Sequence, residues 1–169
     1  MKLILKKKNT KNYLKIANQR LLNGDLVIVP TETVYGIGAD ATNNWAVKKI
    51  FHIKNRPFNN PIICHFENLE KIYEHAELNS TALKLAKAFW PGPLTLILKK
   101  RKVSKISQFV SNNIDMIGCR IPNHPIALKI LKNLNRPIAA PSANISTKLS
   151  STSIEHMDNK LKKNVFIVN

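Results

Sequence analysis

The sequence is poor in cysteine: Cys64 and Cys119 are the two among 169 residues. They have no CxxC spacing and no histidine pair at zinc-site spacing, so no metal site is expected. Both lie in apolar runs, PIICHF and MIGCRIP, where buried free thiols are expected. Long apolar runs are missing too, since nothing approaches the ~18 residues that a membrane span needs. The first residues, MKLILKKKNTK, hold three apolar residues between charges, too few for a signal-peptide core. The cytoplasm is therefore the expected compartment. No Walker A or GxGxxG motif is present, which excludes the conventional nucleotide loops. No serine lies in a GxSxG elbow, and no His-Asp pair accompanies one. Without repeats, low-complexity tracts or Pro/Ser linkers, one domain over 1–169 is expected.

Acidic residues are also scarce: ten Asp and Glu stand against 27 Lys and Arg, for a net charge of +17. Such a balance suits a polyanion, and RNA on a basic face is one candidate partner. Lys outnumbers Arg 22 to 5, and Asn and Ile abound, a bias that AT-rich coding also produces. Charge alone names no partner.

Helical and strand patterns alternate along the chain. Residues 11–22 carry Leu14, Ala17 and Leu21 on one helical face and stop at Asn23-Gly24. The spacing predicts further helices from an Asn44 cap to about residue 54, from a Ser80 cap to WPGP, over 124–134 and over 158–163. Val47, Ile50 and Phe51 point inward in the first of these, and Ala82, Leu85, Ala86 and Phe89 in the second. Residues 26–29, PIICHF, LTLIL, MIGCRIP, the start of RPIAAPSAN, and VFIV read as strands. The class is mixed α/β, a twisted mixed sheet covered by helices.

Ligands in such folds gather at strand ends and the loops beyond them. Four polar clusters occupy such places: PTETVYG, KNRPFNNP, CRIPNHP and PSAN. Prolines stiffen these loops, which lowers the entropy cost of ordering a ligand. The stretch VPTETVYGIGAD follows an apolar strand without a charge run, as a binding floor would. Its Gly36 and Gly38 would let the backbone pass close to a ligand or a neighbouring strand. Lys54 and Arg56 end a helix. They complement its dipole, yet two cations before a Pro-rich turn also suit a phosphate, through charge-assisted hydrogen bonds of roughly 1.5–3 kcal/mol each. Ser142 and Asn144 could form an Asx-type turn or cap, or a pair of short donors for phosphate oxygens. Arg120 closes an apolar run and would leave it at the edge, ready for a carboxylate. His65 ends PIICHF, where a lone histidine is either structural or catalytic.

Taken in order, PTETVYGIGADA, KIFHIKNRPFNNPIICH, FWPGPLTLIL, RIPNHP and APSANIS resemble the YrdC-like family, the threonylcarbamoyl-AMP synthases. The resemblance runs from about residue 26 to 153. It implies a twisted mixed sheet around a concave cavity. The implied reaction joins L-threonine, bicarbonate or CO2, and ATP into threonylcarbamoyl-AMP and pyrophosphate. A tRNA-modifying complex would then move the threonylcarbamoyl group onto an adenosine beside the anticodon. The family's K-x-R falls on Lys54 and Arg56 and its S-x-N on Ser142 and Asn144, which implies contact with the ATP phosphates. Thr33, Tyr35, His65 and Arg120 would line the threonine pocket. Mg2+ is implied with ATP, held mainly by phosphates. No catalytic nucleophile is implied; Lys54 and Arg56 would act by positioning and electrostatic stabilisation. The pattern departs from the family at Asn55, where a small residue is common. It departs again at VFIVN, where a G-x-E-S-T-V-like nucleotide-site segment would begin. A basic RNA-holding module of the same fold, without full synthase activity, is the alternative.

Overall fold

The computed structural model describes residues 10–146 and 152–168. Residues 1–9, most of the MKLILKKKNTK stretch considered above, lie outside them.

Helix α1 (Thr10–Leu22) ends where Gly24 takes a φ of 77° and returns its N–H to Leu21 O, a left-handed stop that glycine adopts without a Cβ penalty. The chain enters β1 (Val27–Val29) and turns back as β2 (Gly36–Asp40), every residue of both strands being buried. Helix α2 (Asn44–Lys54) follows, capped by Asn43 rather than by Asn44. Asn43 has extended backbone, and its Oδ1 accepts from Trp45 N and Ala46 N at 3.0 and 3.1 Å, the geometry that satisfies orphan amides. At the other end Asn55 is left-handed, with a φ of 50°.

Strand β3 (Cys64–His65) is shorter than PIICHF suggested. The flanking residues spend their hydrogen bonds elsewhere, Ile62 N on Val110 O and Phe66 N on Arg120 O. Helix α3 (Leu69–Tyr73) and strand β4 (Ala76–Glu77) were not expected from the sequence pattern. Helix α4 (Ser80–Phe89) is capped by Asn79, whose Oδ1 accepts from Ala82 N at 2.8 Å, so Ser80 is its first residue instead of its cap. Ala82 and Ala86 are buried as expected, but Leu85 and Phe89 are exposed. Beyond these come β5 (Leu96–Lys100), β6 (Met116–Arg120), α5 (Pro125–Leu134), β7 (Ile138–Ala139), α6 (Asn159–Asn164) and β8 (Phe166–Ile167).

The eight strands form one mixed sheet in the order β4-β5-β6-β3-β7-β2-β1-β8. β1 pairs parallel with β8 and β3 with β6; the other neighbours are antiparallel. Alternate residues of a strand face opposite sides, and two cores result. Ile28, Ile37, Ala39 and Cys64 pack with Val47, Ile50 and Phe51 of α2. Val27, Val29 and Ile138 pack with Leu14 and Leu21 of α1 and with Ile130 and Leu131 of α5. Helices therefore cover both faces. No described helix is long and apolar enough to cross a membrane.

Candidate active site

The loop 30–35 that joins β1 to β2 is the element around which the candidate residues gather. It is folded on Thr31, whose Oγ1 donates to Val34 O at 2.6 Å and accepts from Val34 N at 3.2 Å. This Ser/Thr-type turn holds Glu32 and Thr33 outward.

At the loop's start stands Arg120, from the end of β6. It is 7% exposed. Its Nη2 donates to Glu32 Oε1 at 2.9 Å and to Thr33 Oγ1 at 3.1 Å, while Nε donates to Gly92 O at 3.2 Å. The carboxylate expected for this arginine is thus supplied within the chain, and the arginine is buried instead of standing at an open edge. Burial pushes the Glu32 carboxyl up, but the Arg120 hydrogen bond and the backbone amides of Glu32 and Asn123 outweigh it and hold the pKa below the ordinary range. Beside Arg120 in register lies His65. Burial, with Arg120 adding to it, drives His65 down to about 4, against a hydrogen bond with the Ala140 backbone and the charge of Glu32. It is a neutral imidazole at physiological pH. Thr31, Gly36, Ala127, Leu131 and Ala140 share a small apolar cavity with it.

At the loop's other end, Tyr35 O accepts from Ala143 N at 2.7 Å, and Gly36 forms a β-bridge with Ser142. The PSAN turn is therefore stitched to the same loop. Within the turn Ser142 Oγ donates to Asn144 Oδ1. Lys54 reaches it from the end of α2, where its Nζ donates to Ser142 O at 2.6 Å and also to Asn144 O. Lys54 O accepts from Ser146 N at 2.9 Å, so both ends of the residue grip the turn. With 1% of its surface exposed, Lys54 has its pKa lowered to about 8, by burial first and by Arg56 second. Arg56 braces its own loop: Nη2 donates to Asn60 Oδ1 and Pro61 O at 2.7 Å each, and Nε to Asn60 O at 3.1 Å. Burial lowers the Tyr35 hydroxyl's acidity, and Glu155 adds to this.

All eight sequence-predicted residues thus belong to one connected neighbourhood. Thr33, His65 and Arg120 cluster at one end of the loop, Tyr35, Ser142, Asn144 and Lys54 at the other, with Arg56 next to Lys54. Glu32, in the PTETVYG cluster, is a residue whose role the sequence leaves open between pairing with a cation to order the loop and contacting substrate. Its signal was a lone carboxylate in a polar loop of an acid-poor chain, a natural partner for a buried arginine.

The Sua5/YciO/YrdC family model, described as "Telomere recombination", matches residues 19–169. A threonylcarbamoyl-AMP synthase of Pyrococcus abyssi is 48% identical over 145 residues, 85% of this chain and 42% of that protein. One of Psychromonas ingrahamii is 31% identical over 170 residues, 99% of this chain and 86% of that protein. The crystal structure of P. abyssi Sua5 complexed with L-threonine superposes with a TM-score of 0.86 at 44% identity, covering 91% of this chain and 45% of that one. Escherichia coli YciO shares the fold, with a TM-score of 0.82 at 22% identity. The chain spans less than half the length of the Pyrococcus and Bacillus subtilis relatives. With the match extending over nearly the whole chain, the chain belongs to the Sua5/YciO/YrdC family.

Proposed function

We propose that this chain makes threonylcarbamoyl-AMP and pyrophosphate from L-threonine, bicarbonate or CO2, and ATP, acting as a nucleotidyltransferase. The observation that carries the proposal is the shared loop: one short segment contacts both the Arg120 cluster and the PSAN turn. A reaction that joins a small amino acid to a nucleotide phosphate needs those two sites to abut. The relatives named as threonylcarbamoyl-AMP synthases and the threonine complex of P. abyssi Sua5 support the same reading.

In this reading Arg120 meets the threonine carboxylate, with its guanidinium plane already set by Glu32, Thr33 and Gly92 O. Tyr35 and His65 form walls of that pocket. The neutral threonine amine adds to CO2 with loss of one amine proton to solvent, or to bicarbonate with loss of water, and gives a carbamate. A carbamate oxygen then attacks the α-phosphorus, and the bond from that phosphorus to the bridging oxygen of the departing pyrophosphate breaks. Arg56 and the PSAN turn hold the phosphates, and Lys54 fixes the turn and adds positive charge beneath it. Electrostatic stabilisation and orientation of this kind need no covalent nucleophile.

Mg2+ would neutralise phosphate charge when ATP is bound. Near the turn the chain offers neutral oxygens, Ser142 Oγ and Asn144 Oδ1, a donor set that fits a hard cation carried by the nucleotide. Transfer of the threonylcarbamoyl group to tRNA by a downstream complex, and a cytoplasmic setting, belong to the same proposal. The alternative, a basic module without chemistry, rests on net charge, whereas Lys54 and Arg120 are buried and hydrogen-bonded. The deciding test is mass detection of threonylcarbamoyl-AMP from ATP, threonine and 13C-bicarbonate. One added mass unit in the adenylate supports the proposal. Folded protein that yields no adenylate with all three substrates present refutes it.

A further inference from the structure

Helix α4 is inverted relative to its neighbours. α2 buries Val47, Ile50 and Phe51, and α5 buries Ile130, Leu131 and Leu134. α4 instead buries two alanines, Ala82 and Ala86. Leu85 and Phe89, the large side chains that its spacing directs inward, are 38% and 55% exposed. A leucine and a phenylalanine left in water forgo the burial that stabilises the other helices.

At about 100° per residue, the two alanines mark the side of α4 turned toward the protein body. Lys84 and Ala88 form the crest opposite them. Thr81, Leu85 and Phe89 make an i, i+4 row along one flank, and Lys87 lies on the other flank. Between that row and the crest, the small Ala88 leaves a hollow in which a second helix can seat its own ridge. The flank is fixed at both ends. Asn79 caps the start. At the finish Trp90 N donates to Ala86 O at 2.9 Å, Trp90 Nε1 to Leu94 O at 2.8 Å and Gly92 N to Ile121 O at 2.8 Å. Little conformational freedom therefore remains to be lost when a partner binds.

Charge narrows the choice of occupant. Between Glu77 and Asp115 the sequence holds seven Lys and Arg and no Asp or Glu. Neither Lys84 nor Lys87 forms an ion pair among the described residues. The matching carboxylate must come from outside the chain. A second copy is disfavoured, because each copy carries +17 and a two-fold pairing would set one Lys84 near the other. A membrane surface would meet the crest, where Lys84 stands, and not the flank that carries Leu85 and Phe89. A helix lying alongside α4 reaches that flank and the edge of the crest together.

We propose that the flank formed by Thr81, Leu85 and Phe89 docks an acidic amphipathic helix of a partner protein. Apolar residues of that helix, at i, i+3 and i+4 spacing, cover Leu85 and Phe89, and a carboxylate on its edge meets Lys84. No residue of α4 belongs to the candidate active site, so the proposal is independent of the synthase reading and survives or fails separately.

The probe is a fluorescein-labelled 18-residue helical peptide with leucine at every third or fourth position and glutamate between, read by anisotropy without substrates. Phe89→Ser and Leu85→Ser each weaken its binding about tenfold or more. Lys84→Glu weakens it about fivefold, and a peptide with lysine in place of glutamate then binds that variant better than it binds the unaltered chain. Lys87→Glu, on the far flank, stays within twofold. Because Phe89 is exposed, the melting midpoint of Phe89→Ser should stay within about 2 °C of the unaltered chain. A larger fall would place Phe89 in the chain's own core and overturn the proposal. Failure of the helical peptide to bind overturns it as well. So does equal binding by poly-glutamate or by the same residues in scrambled order, or equal weakening by Lys84→Glu and Lys87→Glu. Phe89-dependent self-association, or Phe89-dependent sedimentation with phosphatidylserine vesicles, would assign the flank to a second copy or a membrane and likewise overturn it.

Discussion

Lys54→Met isolates the contact on which the proposed phosphate end depends. The substitution keeps the apolar stem in its buried slot and removes the ammonium that donates to Ser142 O and Asn144 O. The two carbonyls are not equally exposed to the loss. Ser142 O keeps the bond from Asn144 N at 3.0 Å, so the loss of the ammonium falls mainly on Asn144 O. Removing a charged donor from a buried acceptor costs about 1–3 kcal/mol, and relief of the ammonium's own desolvation offsets part of it. For a chain of this size each kcal/mol moves the melting midpoint by about 2–4 °C. The expected fall is therefore about 2–12 °C, with a folded protein remaining at 25 °C.

The effect on activity should be larger than the effect on stability. Freed from Lys54, the PSAN turn can shift by about an ångström, and misplacement on that scale costs on the order of 100-fold in rate. Threonine- and bicarbonate-dependent pyrophosphate release, measured at 25 °C, is the assay. Asn43→Ala serves as the control, since loss of the α2 cap costs about 1 kcal/mol without touching the turn, and activity there should stay within twofold. If Lys54→Met releases pyrophosphate within threefold of the unaltered chain, Lys54 does not organise the site and the proposed positioning role is wrong.

The lowered pKa of Lys54 adds a pH signature. Its folded value of about 8 lies below the ordinary 10.5, so between those values the unfolded chain holds more protons and this residue's contribution to stability rises with pH. Activity moves the other way, falling as pH passes about 8 and the donating ammonium is lost; the small residual activity of Lys54→Met should lack that limb. Glu32→Gln removes the ion pair that sets the Arg120 plane, and the threonine KM should rise at least tenfold with little change in the KM for ATP. Because the folded Glu32 pKa is depressed, its stabilisation is present above the unfolded value and is lost as pH falls through the folded one. Acid unfolding curves of Glu32→Gln should lack that component. Cys64 and Cys119 face each other across β3 and β6; burial raises the Cys64 pKa to about 12, and burial with Cys64 beside it raises that of Cys119. Neither thiol should react with a disulfide reagent in native buffer, and both should react in denaturant; rapid native labelling would contradict the buried pairing.

Helix positions were legible because periodicity and stop signals are local: Gly24 ends α1 and WPGP ends α4. Cap identity was not, because neighbours compete. At 43–44 and at 79–80 adjacent residues could each cap, and backbone angles select the one whose oxygen reaches the orphan amides. Strand β2 hid in GIGAD, where two glycines and an aspartate carry little β-propensity. Pairing on both edges makes it a strand, and crowding explains a glycine: a Cβ on Gly38 would lie 2.9 Å from Ile138 Cγ2. The expected close approach at Gly38 is therefore to a neighbouring strand.

The candidate site divides along the same line. Its residue types were readable one cluster at a time, because each motif is contiguous. What joins them is not. Arg120 finds Glu32 across 88 positions and Lys54 finds Ser142 across another 88, and no local pattern announces either bond. Both bonds depend on sheet order, which sets β6 and β7 on either side of β3. The loop that follows β1 can then touch the ends of strands far apart in sequence. Glu32 was the residue without a role because its role is defined by a distant arginine. Seen with that partner, the polar run after β1 is the hinge pin between the two halves of the proposed reaction. Damage to either end should therefore be felt at the other, and Glu32→Gln combined with Lys54→Met should show a nonzero coupling in a double-mutant cycle of kcat/KM. Strict additivity would mean that the two ends of the loop work independently.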